Sequence, residues 1–173
     1  MDQARQILRE SVAPVGGWEM VPIRAALGRV LRRDIVAPFD VPAHDNSAMD
    51  GYAARAQDLG SPENRLTLVG KAYAGAAFAG VIGPGQTVRV MTGAVLPRGA
   101  DTVIVQESAH LEGEAVVLPG VDKPGQNVRR AGEDLTAGRP ALLTGRRIGP
   151  PELGLLASLG LAEVPVYRRP RVA

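Results

Sequence analysis

The stretch RVMTGAVLPRGADTVIVQE, residues 89–107, sets two runs of β-branched residues, one closing at Thr92 and one from Thr102 to Glu107, around Gly93, Pro97 and Gly99. Valine, isoleucine and threonine suit the pleated surface of a strand, and glycine and proline supply tight turns. The same texture extends outward in both directions. Further β-rich runs are Leu66 to Tyr73, with Thr87 leading into Thr92, and Ala115 to Leu118. Glu112-Gly113-Glu114 reads as a hairpin turn ahead of the last of these. From Val41 to the neighbourhood of Gly138 the chain therefore reads as a compact β domain with tight turns.

The two ends read differently. Ala4, Ile7, Leu8 and Val12 fall at helical spacing within Asp2 to Val12, which predicts an amphipathic helix that Pro14 and Gly16-Gly17 terminate. A second short helix is expected over Ala25 to Leu31, followed by an extended Asp34-Ile35-Val36. Beyond Gly138, Ala141 to Leu143 reads as a strand and Pro151 to Leu159 as a helix, with Gly160 suited to the left-handed position after its end. Ala162 to Tyr167 is a final extended run. The expected fold class is α+β and β-rich: a compact β domain inserted into a small mixed α/β unit formed by both ends of the chain. The expected divisions are an N-terminal helix over 1–20, a discontinuous linker domain over 21–40 and 138–173, and the inserted domain over 41–137.

With 173 residues the chain can bury roughly 70% of the surface its unfolded form exposes, so it needs no metal or disulfide to fold. It has no cysteine, which excludes disulfide scaffolds, thiolate zinc sites and cysteine nucleophiles. Two histidines, His44 and His110, leave little room for a histidine metal cluster. No run approaches the ~20 apolar residues of a membrane-spanning helix, and a soluble cytoplasmic protein is the expectation. Net charge is only +2, and the arginines are scattered in pairs such as Arg32-Arg33 and Arg146-Arg147. A single-strand binder interleaves aromatic platforms with a basic groove. Here the aromatics are few, so nucleic acid is not expected as a partner. No P-loop, dinucleotide fingerprint or nucleophile elbow is present.

Three polar segments are candidates for chemistry. In His44 to Tyr52, Asp45, Asn46, Ser47 and Asp50 crowd beside Gly51, with no apolar alternation to bury, which reads as a loop. Gly51 lacks a side chain, so a bound group could approach its backbone, and Asp50 could hold a hard cation such as magnesium or orient a substrate. An ordinary turn in which Asp45 and Ser47 cap backbone groups explains the same residues equally well. The second candidate is the strand end at Thr92-Gly93, whose amides and hydroxyl can receive a phosphate oxygen, although Thr-Gly after a strand is usually a turn. The third sets Arg129 and Arg130 just before Gly132-Glu133-Asp134. Such residues can bind an anion and a metal at one locus, or simply pair with each other on the surface. Spacing alone favours the surface pairing.

Together, DNSAMDGYA at 45–53, RVMTGAVLPRGADTVIVQE at 89–107 and PGQNVRRAGEDLTAG at 124–138 resemble the molybdopterin molybdenumtransferase family, the MoeA proteins and the gephyrin E domain. Order and spacing agree, and so does the tail PPELGLLASLGLAEVPVYRRPRVA. The resemblance implies an enzyme that inserts molybdate into adenylated molybdopterin with release of AMP, in a magnesium-dependent step of molybdenum cofactor biosynthesis. It also implies a homodimer whose active site lies in a cleft between the pterin-binding domain of one subunit and the β-rich domain of the other. Carried over by motif, Asp50, Thr92 and Asp134 face that cleft as catalytic residues, with Asp50 first choice for the metal. Ser47, Gly51, Gly93, Arg129 and Arg130 are the matching substrate-binding candidates.

Two departures stand out. His44 occupies a position where the family usually has an aromatic residue. The family also continues past a PRVA-like segment into a pterin-binding domain, which this chain, ending at Arg171-Val172-Ala173, does not include. The expectation is therefore an N-terminal portion, inactive alone, in which Ile7, Leu8 and Val12 need another cover. The alternatives are a standalone interaction or dimerisation module, and a purely structural β module.

Overall fold

The computed structural model describes residues 2–11 and 16–170. In chain order its helices and strands are α1 (Asp2–Ser11), β1 (Trp18–Pro22), β2 (Ile35–Val36), β3 (Asn46–Ser47), β4 (Gly51–Ala54), β5 (Glu63–Ala72), β6 (Gln86–Val90), β7 (Thr102–Val105), β8 (His110–Glu112), β9 (Ala115–Pro119), β10 (Val128–Arg129), β11 (Pro140–Leu142), α2 (Pro150–Ser158) and β12 (Glu163–Tyr167). Strands dominate and helices are few, as the β-rich reading anticipates. The chain forms two compact units: Met1–Pro38 with Ala137–Ala173, and Phe39–Thr136.

In the second unit six strands make one sheet in the order β7-β4-β6-β5-β9-β8. All pairs are antiparallel except β5 with β6, which run parallel. Alternate residues of a strand point to opposite faces. On β4, Tyr52 and Ala54 accordingly join Leu59, Leu66, Ile104, Val116 and Leu118 in one apolar cluster. Ala53 joins Ala72, Ile82, Val88, Val90, Ala94 and Val103 in another. Both faces of the sheet are thus covered, so β4 is buried along its whole length.

The sequence reading kept residues 44–52 entirely in a loop; the structure instead begins the interior strand β4 at Gly51. The reason is the partner strand. A Cβ at Gly51 would stand 2.0 Å from the carbonyl oxygen of Ile104 on β7, so only glycine lets the two backbones meet in this register. The close approach that glycine permits here is that of a neighbouring strand, not of the bound group that residue types suggested.

The first unit holds two small antiparallel ladders, β1 with β12 and β2 with β11, and a core that includes Leu31, Ile148, Leu156, Val164 and Val166. The helix expected over Ala25 to Leu31 does not form. Only Ile23–Ala25 makes a single 3-10 turn, after which Gly28 takes a positive φ of 75°. Val30 and Leu31 then bridge to Arg147 and Val166, so cross-chain pairing and burial of Leu31 override the helical spacing. β1 was not foreseen: its apolar Trp18 and Met20 fall on the exposed side and only Val21 is buried, so its pattern does not report the buried face.

Helix α2 starts on Pro150 and Pro151, and its Glu152 reaches back to accept the Gly149 amide at 2.8 Å while also taking Arg146 at 2.5 Å. That return bond satisfies an amide the helix itself leaves unpaired. Helix α1 is present, and its described side chains are exposed, Ile7 included. Val12, Pro14 and the side chain of Leu8 lie outside the described residues.

Two substitutions of glycine by alanine should separate. Gly51→Ala drives a methyl into the β7 carbonyl and should destabilise the protein by about 3 kcal/mol or more. Gly154→Ala, in α2 with no atom near its added Cβ, should stabilise by about 1 kcal/mol. Urea denaturation midpoints read both, and equal shifts would refute the β4–β7 constraint. A second prediction concerns acid. The Arg146 hydrogen bond, and then the Gly149 amide, hold the Glu152 carboxyl below its ordinary range. A lowered folded-state pKa means that the stabilisation is complete above the unfolded value, about 4.3, and is lost as pH falls through the folded one. Glu152→Gln should therefore lower stability at neutral pH and flatten the loss below pH ~4.3, measured as urea midpoints at several pH values.

Candidate functional site

The segment ahead of β4 is held from both ends by carboxylates. Asp45 accepts the Ala131 amide at 2.8 Å and the Arg130 guanidinium at 2.6 Å. Asp50 accepts both the amide and the hydroxyl of Thr92 on one oxygen, Oδ1, each at 2.7 Å. Between them Ser47 donates its amide to Ala94 and accepts that of Gly93, at 2.9 and 2.8 Å. Its hydroxyl donates locally to the Met49 carbonyl at 2.5 Å. On the other side β3 pairs with β10, setting Ser47 opposite Val128 and Asn46 opposite Arg129. The three polar segments, more than forty residues apart in sequence between Asp50 and Thr92 alone, therefore converge on this one stretch of chain.

Side-chain oxygens separate the structural acids from the available ones. Asp45 uses both oxygens within the protein, on Ala131 and Arg130. Glu133 does likewise, taking Arg129 on Oε1 at 2.7 Å and the Arg130 amide on Oε2 at 2.8 Å. Asp50 commits only Oδ1, and among the described residues nothing donates to its Oδ2. Asp134 commits only Oδ2, to Arg129 at 2.6 Å. Of these four acids, Asp50 and Asp134 keep an oxygen to offer, and both are residues singled out by motif.

Charge around Asp50 favours the anion. The Thr92 amide, then the Thr92 hydroxyl, hold its carboxyl below the usual aspartate range, and the positive charge of Arg89 adds to this. Hydrogen bonds to the charged form are the dominant cause. Arg89 is itself fixed: its guanidinium lies 4.9 Å from the centroid of the Tyr52 ring and donates to the side-chain oxygen of Gln106. The Gln106 amide in turn donates to the Asp50 carbonyl at 3.0 Å. Asp45 is lowered by the Ala131 amide first and by Arg130 next. The Arg129 pKa is raised by Glu133 and then by Asp134.

Of the sequence candidates, Ser47, Asp50, Thr92 and Gly93 meet directly, and Gly51 serves the β4–β7 contact. Arg129 and Arg130 join through Asp45 and the β3–β10 ladder, but both guanidiniums are engaged by carboxylates of this chain, as the surface-pairing reading holds. His44 is exposed beside the segment, and His110 faces Glu112 at 3.4 Å. Residue types missed three contributors. Asp45 looked like a local cap yet bonds 86 positions away at Ala131. Arg89 and Gln106 gain their roles only from strand pairing, which no local pattern shows. The enclosed Asn46 Oδ1 has no hydrogen-bond partner among the described residues.

No group of three or more His, Cys, Asp or Glu that could hold a metal ion occurs among the described residues. A lone carboxylate still fits magnesium, which keeps several waters and relies on substrate phosphates for other ligands. The arrangement can thus present one anionic oxygen, on a rigid strand end, to a cation or to a protonated donor.

Comparison with known proteins bears on which chemistry this is. Residues 1–160 match the family model "MoeA N-terminal region (domain I and II)". The molybdopterin molybdenumtransferase of Haemophilus influenzae is 42% identical over 99% of this chain and 43% of its own length. Molybdopterin molybdenumtransferase 2 of Mycobacterium tuberculosis is 42% identical over 88% of this chain and 38% of its own. The crystal structure of a molybdopterin biosynthesis moeA protein from Pyrococcus horikoshii OT3 superposes with a TM-score of 0.89 at 35% identity, over 98% of this chain and 46% of that one. The chain thus spans about two fifths of the length of the curated relatives it matches. The chain belongs to the MoeA family, as that family's N-terminal region.

Proposed function

We propose that this chain supplies one wall of the active-site cleft of a molybdopterin molybdenumtransferase. In that reaction molybdate is inserted into adenylated molybdopterin and AMP is released. The observation that carries the reading is the Asp50–Thr92 pair. Its two 2.7 Å bonds favour the ionised form of a partly exposed carboxylate and leave Oδ2 without a donor among the described residues.

Within the cleft, Asp50 presents a fixed negative oxygen and Thr92 sets its orientation. Asp134 offers a second anionic oxygen, while Arg129 holds that side chain in place. Ser47 and Gly93 anchor the loop by backbone bonds rather than through free side chains. A magnesium ion held by Asp50 together with substrate phosphates offsets diphosphate charge and polarises the bond that releases AMP. The pterin-binding wall belongs to the remaining length of the complete protein, so this chain alone is inactive. We place the complete enzyme in the cytoplasm as a homodimer. Exposed Trp18, Met20 and Val36 in the first unit support a cover by further chain or a second copy, since apolar patches rimmed by polar residues mark interaction surfaces.

The decisive assay is magnesium-dependent AMP release from adenylated molybdopterin by the complete protein. Asp50→Asn should lower kcat by about 100-fold, because an amide supplies no anionic oxygen. Thr92→Val keeps the backbone donor and should cost about tenfold. It should also move the acid limb of the pH–rate profile upward, because one of the two bonds that lower the Asp50 pKa is gone. Wild-type turnover by Asp50→Asn would sink the proposal, and turnover by the 173-residue chain alone would show that the pterin wall is misplaced.

A further inference from the structure

Asp50 stands between the extensions of both neighbours of β4. Thr92, beyond the end of β6, holds its side chain, and the Gln106 amide, immediately after β7, donates to its carbonyl at 3.0 Å. One side chain ties those two extensions together. Arg89 on β6 lies opposite Tyr52 on β4, with its guanidinium 4.9 Å from the centroid of the Tyr52 ring, and from there it donates to Oε1 of Gln106. In the strand order β7-β4-β6 this contact passes right across β4, joining backbones about 10 Å apart. The other end of the Gln106 amide group is held as well, its Nε2 donating to Glu107 Oε1 at 3.2 Å.

An arginine on a sheet face usually pairs with a carboxylate or extends into water. Arg89 is only partly exposed, and among the described residues no carboxylate pairs with it: its contacts are a neutral amide and an aromatic face. A flat guanidinium can stack on a ring and donate in its own plane at once, which a lysine ammonium cannot. The ring beneath it is fixed by packing, since Tyr52 is buried in the apolar cluster with Leu59, Leu66 and Ile104. Asp50 is therefore supported twice, at its carboxylate through Thr92 and at its peptide through Gln106, and Arg89 sets the spacing of the two supports. Misplacing a reacting group by about 1 Å can cost about 100-fold in rate. Groups that orient such a residue without touching the ligand are worth about 10- to 100-fold.

We propose that Arg89 and Gln106 are positioning residues, a tie from β6 across β4 to the end of β7 that fixes the main chain of Asp50 and, through it, the direction of the carboxylate oxygen left for a ligand. The inference rests on the reading of Asp50 as a residue of the transferase cleft. The tie itself lies within one unit, so its hold on Asp50 is measurable without the reaction.

Two measurements test it. In the 173-residue chain, Arg89→Met should speed hydrogen exchange of the Gln106 amide by about tenfold or more, while the amides of Val116 and Val117 on β9 keep their protection. In the complete protein, Arg89→Met and Gln106→Ala should each lower kcat for magnesium-dependent AMP release by about tenfold, with KM within about twofold of wild type. The two together should lose no more than the worse single variant, because both break one tie. Arg89→Lys keeps the charge without the planar fork and should also lose about tenfold. In an Asp50→Asn background, Arg89→Met should cost less than about twofold further, since its effect runs through Asp50. Unchanged Gln106 exchange, wild-type kcat in any of the three single variants, a loss confined to KM, or full additivity with Asp50→Asn would each overturn the proposal. Normal turnover by Asp50→Asn would instead remove the cleft reading, and the exchange result would still decide whether the tie holds Asp50.

Discussion

The meeting of β4 and β7 at Gly51 and Ile104 is the constraint on which the rest of the second unit turns. With no room for a Cβ, the two backbones pair in one register only. A slip by one residue would exchange the two faces of β4, sending Tyr52 and Ala53 each to the other's cluster. Because the register is set at the first residue of the strand, Asp50, immediately before it, emerges at a defined place at the sheet's end. There it meets Thr92, two residues beyond the end of β6. Positioning of the candidate site is thus a consequence of packing in the sheet interior, not of the loop's own composition.

The polar bonds then act on a frame already in place. Asp45 with Arg130, and Arg129 with Glu133 and Asp134, are solvent-accessible pairs, and such pairs contribute little stability each. Their value is geometric: they tie residues 129–134 to the stretch that begins at Asp45. Backbone bonds do comparable work nearby, since Leu96 donates to the Asp45 carbonyl at 2.8 Å and Ala48 to Asn127 at 2.9 Å. The loop is consequently over-determined without being deeply buried, which is what a site on a domain surface requires.

How much of this is legible in the sequence follows from the range of the interactions. β5, β6, β7 and β9 announce themselves through β-branched runs and flanking glycines, and their observed bounds fall within a few residues of the expected ones. α2 is equally plain from Pro150-Pro151 and Gly160. What fails is decided by distant partners. Ala25 to Leu31 carries helical spacing, yet Leu31 is claimed by Val166, more than a hundred residues on. β4 is hidden because Gly51-Tyr52-Ala53-Ala54 is buried on both faces and so lacks the alternation of a half-buried strand. In the site, Asp50 and Thr92 could be nominated by residue type and family motif, but their mutual bond could not. Arg89, Gln106 and the true partner of Asp45 depend wholly on pairing across the sheet.

The same dependence explains why acids of similar composition have different standing. Asp45, Asp50, Glu133 and Asp134 all lie in polar turns, and local sequence gives no reason to rank them. In the fold, Asp45 and Glu133 spend both oxygens closing loops, whereas Asp50 and Asp134 each spend one. A carboxylate bonded once at each oxygen keeps no oxygen wholly free, so a ligand must share an oxygen that already accepts a bond. One bonded at a single oxygen is oriented by that bond and still carries an acceptor for another group. Thr92 and Arg129 are therefore the complements of the two available acids, one neutral and one cationic. The neutral partner leaves the charge of Asp50 largely uncompensated at short range, with Arg89 acting from beyond. The ion pair already offsets that of Asp134. On that difference Asp50 is the stronger attractor of a cation, and Asp134 the better placed to accept a hydrogen bond without drawing a second positive charge.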